Sequence, residues 1–150
     1  MKNGEAARVV TNDELRVEAK LENVRRIGDF VRGFGRRMGL PEDTLFDIDL
    51  AVEEASTNTV RHAYASGPVG DILVQIKAVD DAVIITVTDW GLPLNAEVTL
   101  LPDVGASLEA RTEGGMGLHL IYALMDSVTR EPTTAPGQPN ILTLTKQLVN

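Results

Sequence analysis

The sequence predicts an α+β domain in which helices pack against a sheet. Three observations carry that expectation. Between Val24 and Ala63, apolar residues recur at three- and four-residue spacing in two stretches, the period of amphipathic helices. Through 71–78 (DILVQIKA) and 82–89 (AVIITVTD) they alternate with period two, and the short Val79-Asp80-Asp81 connection makes an antiparallel hairpin the economical reading. A last strand-like run, ILTLTKQL, follows the Pro- and Gly-rich stretch from Pro132 to Pro139.

The elements follow in order. In residues 15–19 (LRVEA) apolar and charged side chains alternate, which predicts a half-buried strand with Leu15, Val17 and Ala19 inward. A helix follows, with Val24, Ile27, Val31, Phe34 and Met38 on one face and Arg25, Arg26, Arg32, Arg36 and Arg37 on others, and Gly39 as its stop. The arginines read as a solvated exterior or as a face for an acidic partner. Pro41, Glu42 and Asp43 start a second helix, because proline tolerates the first turn and carboxylates suit the positive dipole end. It runs to about Tyr64 and is ended by Gly67, Pro68 and Gly70.

In the hairpin, Ile72, Val74 and Ile76 share one face; Val83, Ile85 and Val87 share another, and the same parity places Asp89 on the core side. Residues 90–113 show no period, and a segment this long without one reads as a functional lid. Gly114, Gly115 and Gly117 open an apolar helix holding Leu118, Ile121, Leu124 and Met125, and strand-like residues come at 127–130.

The 150 residues fit one domain with one core, 1–150, with residues 1–13 as a disordered lead. A formal net charge of −8 argues against general nucleic-acid binding. Cysteine is absent, which excludes disulfides and thiolate chemistry, and two histidines are too few for a histidine-rich metal site. No apolar run is long enough to span a bilayer and the N-terminus has no signal-peptide core, so the expected location is the cytoplasm, with no membrane contact.

Chemistry is concentrated at four places. Along the second helix, Leu45, Ile48, Val52, Ala55 and Ala63 form one stripe facing the sheet, and Glu54 and Asn58 project together from its border. An amide oxygen there can coordinate a hard cation such as magnesium, and the carboxylate can take a proton from an attacking hydroxyl. Such a pair is also common on ordinary helix borders. His62 reads as a packed histidine, and Arg61 and Glu53 as solvated. Asp89 opens Asp-Trp-Gly-Leu-Pro: a core-side carboxylate needs donors, which an adenine amino group or a nearby turn supplies. Gly114-Gly115-Met116-Gly117 at a helix start lets backbone N–H groups approach an anion, although it is no Walker loop and glycines there are good loop residues in any case. Asn140 shares the core-side parity of Leu142 and Leu144. If its strand pairs antiparallel with the Asp89 strand, the two polar ends meet; turn initiation explains Asn140 equally well.

Taken in chain order, Glu54-x-x-x-Asn58, Asp89-x-Gly91, a long loop and Gly115-x-Gly117 resemble the GHKL superfamily of gyrase, a heat-shock chaperone, histidine kinases and the MutL mismatch-repair protein. Within it the chain looks most like the bacterial anti-sigma factor serine/threonine kinases, through AVEEASTNTVRHAY, VTDWGLPL and GGMGLHLIYALMD, and the resemblance covers nearly the whole length. It implies a two-layer α+β sandwich of the Bergerat type: a mixed, mostly antiparallel sheet with helices on one face, ATP between them and residues 92–113 as an ATP lid. It also implies roles. Glu54 would be the catalytic base and Asn58 the magnesium ligand. Asp89 would bind the adenine amino group, Asn140 would support it and Gly91 would line the base pocket. Gly115, Met116, Gly117 and Leu118 would contact phosphates. The implied partners are a sigma factor and an anti-sigma antagonist of the STAS-domain type, whose serine or threonine is phosphorylated in a partner switch, together with a homodimeric state.

Two positions depart from the family pattern. Pro93 stands where the wider superfamily often has a second glycine, which removes a backbone donor. Arg111 lies farther before the glycines than the family's lid arginine. The alternative function is a non-catalytic, nucleotide-dependent protein-binding module. A detached histidine-kinase domain would need an upstream helix with a phosphoacceptor histidine, and no such helix precedes residue 14.

Overall fold

The computed structural model describes residues 9–65, 67–92, 116–135 and 137–148. Five strands, β1 (Val9–Glu18), β2 (Asp71–Val79), β3 (Ala82–Asp89), β4 (Ser127–Glu131) and β5 (Asn140–Gln147), form one sheet in the order β1-β2-β3-β5-β4. All four pairings are antiparallel, so among the described residues the sheet lies wholly on the antiparallel side of the mixed sheet expected. Among the described residues three helices accompany it: α1 (Leu21–Arg37), α2 (Glu42–His62) and α3 (Met116–Leu124).

Side chains decide which face the helices cover. Ile72, Val74, Ile76, Ala78, Val83, Ile85, Val87 and Leu144 are buried with Ile27, Val31 and Phe34 of α1 and Ile48, Val52 and Ala55 of α2. The alternate residues Gln75 and Lys77 are exposed, so the helices lie on one face only. The stripe expected on α2 is buried throughout: Leu45, Ile48, Val52, Ala55 and Ala63 are each at most 3% exposed. Gly39 (φ +73°) ends the turn after α1, and Asp80 (φ +52°) makes the β2–β3 turn, short enough that Val79 still pairs with Ala82.

Two expectations need correction. β1 begins at Val9, so residues 9–13 are strand and do not belong to a disordered lead. Asn12, Asp13 and Glu14 give no apolar alternation because β1 is an edge strand whose outer half is held by backbone pairing to Lys77, Ile76 and Gln75, with exposed side chains. Glu53, expected on the solvated face, lies instead at the α1–α2 contact with Arg32 and Asp49. Arg32 Nη1 donates to Asp49 Oδ2 (2.7 Å) and to Glu53 Oε2 (3.4 Å), and Nη2 pairs with Asp29. Burial and the neighbouring Asp49 carboxylate push Glu53 above the ordinary carboxylate value. One arginine of the predicted basic exterior is therefore spent inside the fold.

The lid segment from Pro93 onward, with Arg111, Gly114 and Gly115, lies outside the described residues.

Candidate functional site

The antiparallel register of β3 and β5 sets Asp89 opposite Asn140. Asp89 is only 7% exposed, at the end of a strand whose other core-side positions are apolar. Its Oδ1 accepts from the Gly91 backbone N–H (2.9 Å) and from Asn140 Nδ2 (2.8 Å). The same Asn140 amide donates to the Gly91 carbonyl (3.0 Å), and its Oδ1 accepts from the Thr133 N–H (2.8 Å). One oxygen of the carboxylate thus accepts two hydrogen bonds, which fixes its orientation. Burial raises the Asp89 pKa, and the donations from Gly91 and Asn140 oppose that rise.

Gly91 is where the turn after β3 meets the end of α2. A Cβ on Gly91 would lie 2.0 Å from the Ala63 carbonyl oxygen, a backbone atom that cannot swing aside. The Leu92 N–H donates to that oxygen at 2.6 Å. Only glycine permits this approach.

Between α2 and the sheet a cleft opens, walled by Ala55, Asn58, Thr59 and Ala63 on the helix side and by Val87, Asp89, Asn140 and Leu142 on the sheet side. Leu92 and Arg130–Pro132 complete it. Asn58, expected at the stripe border, is 7% exposed, and its Nδ2 is buried with no hydrogen-bond partner. A buried amide left unpaired costs about 1–3 kcal/mol, so an amide in a cleft wall with an unpaired end is one that a ligand or water can complete. Thr59 donates to the Ala55 carbonyl (3.2 Å) and is thereby satisfied within the helix. Glu54 stands one turn before Asn58, half-buried, and does not line the cleft among the described residues.

The structure therefore brings together Asn58, Asp89, Gly91 and Asn140 and places Glu54 beside them on the same helix edge. Met116, Gly117 and Leu118 open α3, with their N–H groups in its first turn, where a helix presents its positive dipole end. Sequence reasoning missed two residues. Arg130 pairs with Leu142 across β4 and β5, which puts it on the helix-facing side, where burial lowers its pKa. That parity was readable once β4 and β5 were paired. Tyr64, read only as a helix end, binds the Asp89 turn; nothing in the local pattern announced it.

The chain belongs to the histidine kinase-like ATPase domain family, whose model matches residues 17–146. It is similar to proteins named serine-protein kinase RsbW. One, from Bacillus mycoides, is 34% identical over 119 residues, 77% of this chain and 74% of that protein. Another, from Staphylococcus aureus, is 36% identical over 126 residues, 79% of each. Among solved structures, the RsbU and RsbW domains of a Mycobacterium tuberculosis protein align with a TM-score of 0.63 at 21% identity, covering 92% of this chain and 32% of that one. The histidine kinase domain of a blue-light activated kinase from Erythrobacter litoralis aligns with a TM-score of 0.57 at 18% identity, over 88% of this chain and 62% of that one. Those two likenesses concern the fold. No helix among the described residues is long and apolar enough to cross a membrane.

Proposed function

We propose that this chain is an ATP-dependent serine/threonine protein kinase that also acts as an anti-sigma factor, phosphorylating a STAS-type antagonist in a partner switch. The observation that carries the reading is the carboxylate of Asp89, buried and held by Asn140 and Gly91, in one cleft with Asn58, whose amide Nδ2 is buried with no partner. The relatives named serine-protein kinase, matched over 74% and 79% of their lengths, support the activity.

In this reading the second oxygen of Asp89 accepts the adenine amino group, and Gly91 keeps the base pocket open at the end of α2. Asn58 faces the phosphates. Among the described residues no three His, Asp or Glu side chains gather as a cation cage, so a cation at Asn58 takes further oxygens from bound phosphate, the usual manner of holding magnesium. The Asn58 amide suits that role because an amide oxygen is a hard ligand and its Nδ2 is tied by no hydrogen bond. Magnesium there would neutralise charge on the phosphates. Backbone amides of Gly115, Met116, Gly117 and Leu118 hold phosphate oxygens at the start of α3. Glu54 takes the proton from the attacking hydroxyl as the terminal phosphoryl group passes to it and ADP leaves. Partners are a sigma factor and the antagonist, the working state is a homodimer and the compartment is the cytoplasm.

The test is transfer of labelled phosphate from magnesium-ATP to a STAS-type protein, comparing wild type with Glu54→Ala. The expected result is stoichiometric transfer by wild type and a loss of at least about a hundredfold in Glu54→Ala, which still binds ATP. A stoichiometric complex with no transfer by wild type would instead make the chain a nucleotide-dependent binding module.

A further inference from the structure

We infer that Tyr64 is a positioning residue of the nucleotide cleft: its hydroxyl ties α2 to the turn after Asp89 and so aims the carboxylate that reads the base. This rests on the reading of the cleft as an adenine site, and it assigns a role to a residue outside the Glu54/Asn58, Asp89/Gly91 and glycine motifs.

Tyr64 follows Ala63, the C-cap of α2. Its hydroxyl accepts from the Trp90 backbone N–H (2.9 Å) and donates to the Asp71 carbonyl at the start of β2 (2.8 Å). Trp90 is the residue next to Asp89, so the bond holds the first peptide of the turn. Two residues on, the Leu92 N–H donates to the Ala63 carbonyl. Consecutive residues at the end of α2 therefore hold both sides of Gly91, and Gly91 supplies the N–H that orients Asp89.

The surroundings are shaped around this tie. A Cβ on Gly70 would lie 2.4 Å from Cε1 of the Tyr64 ring, so the ring packs where only glycine leaves room. On the far side, the Arg16 guanidinium lies 4.7 Å from the centroid of the Trp90 ring, and its Nε pairs with Asp71 (2.8 Å). The backbone of Trp90 is thus held by Tyr64 and its indole by Arg16. Because Tyr64 lies just beyond α2, which carries Asn58, the hydroxyl links the helix side of the cleft to the strand end that carries Asp89. Removing it strands the Trp90 N–H in a half-buried position and frees the turn to drift relative to Asn58.

The experiment uses the full chain and magnesium-ADP as probe. Tyr64→Phe keeps the ring and loses the hydroxyl; it is expected to bind ADP roughly tenfold more weakly, the effect of one stranded donor. ATP should weaken by the same factor, since the defect lies at the base. Emission from Trp90, the one tryptophan of the chain, should shift in the free variant. Gly70→Ala would put a Cβ against the ring and 2.7 Å from its hydroxyl, so it displaces both while keeping the tyrosine, and it should weaken ADP in the same way. Val83→Ala, fully buried near the opposite end of β3, serves as the control: it should lose stability and keep its ADP affinity. ADP affinity within twofold of wild type in Tyr64→Phe overturns the inference. So does an equal loss in Val83→Ala, which would make Tyr64 merely structural. Failure of wild type to bind ADP at all removes the adenine reading itself, a result distinct from wild-type binding that Tyr64→Phe leaves intact.

Discussion

Asp89 brings a charge into a setting that disfavours it, and the sign of the consequence can be worked out. Burial holds its folded pKa above the ordinary carboxylate value. Such a group contributes stability that is complete below its unfolded pKa and is lost as pH rises through the folded one. At neutral pH the ionised Asp89 therefore costs stability, and Asp89→Asn should melt no lower than wild type at pH 7, an advantage that thermal denaturation should show vanishing in acid. Nucleotide recognition runs the other way. The ionised form is the better acceptor for an amino group, so ADP affinity should fall as pH drops through the raised pKa, beginning above the range where exposed carboxylates titrate; a calorimetric pH series measures it. Gly91 makes a sharper steric prediction. Gly91→Ala must push Cβ into the Ala63 carbonyl and should lose about 2–3 kcal/mol by denaturant titration, together with nucleotide binding. Asp89 and Asn140 were legible because strand parity and antiparallel pairing suffice to bring them together. Tyr64 and Glu53 were not, because their roles arise where α2 meets a distant strand end or another helix, and no period in the sequence encodes that contact.

Among the elements, β2, β3 and α2 were legible nearly to their ends, because each buries a continuous apolar face at its own period. β1 was legible only in its inner half. Its outer half pairs as an edge through backbone groups, and edge pairing requires no apolar alternation. α3 is the element on which phosphate contact would depend in the proposed function, and its C-terminal end has a specific anchor. Lys146 of β5 donates to the Leu124 carbonyl (2.6 Å) and pairs with Asp47 of α2 (3.2 Å), a cation at the negative end of the helix dipole. Lys146→Met keeps the aliphatic stem and loses the ammonium. It should cost about 1–2 kcal/mol. Amide hydrogen exchange should rise in α3 well before it rises in β2 and β3, and nucleotide affinity should fall with it. Equal exchange throughout would mean that Lys146 serves global stability only.

In the whole molecule, the sheet supplies Asp89 and Asn140, α2 supplies Asn58 and Glu54, and the turn at Gly91 closes the distance between the two layers. Glu54 and Asn58 alone are an ordinary helix-border pair; Asn58 acquires meaning when β3 and β5 place a buried carboxylate in the same cleft. The class of protein was readable from the order of the motifs, and the depth of the cleft was not, since burial of Asn58 depends on how α2 settles on the sheet. The division of labour predicts that base recognition and phosphate transfer separate cleanly, the first failing with Asp89 and the second with Glu54. Base recognition comes first in that sequence. Calorimetric titration of wild type and Asp89→Asn with magnesium-ATP tests it directly. A single saturable site in wild type is expected, with affinity reduced at least about tenfold in a variant that melts no lower, because Asn presents a donor where the adenine amino group also donates. No heat of binding by wild type at millimolar ATP, or equal affinity in Asp89→Asn, would contradict it.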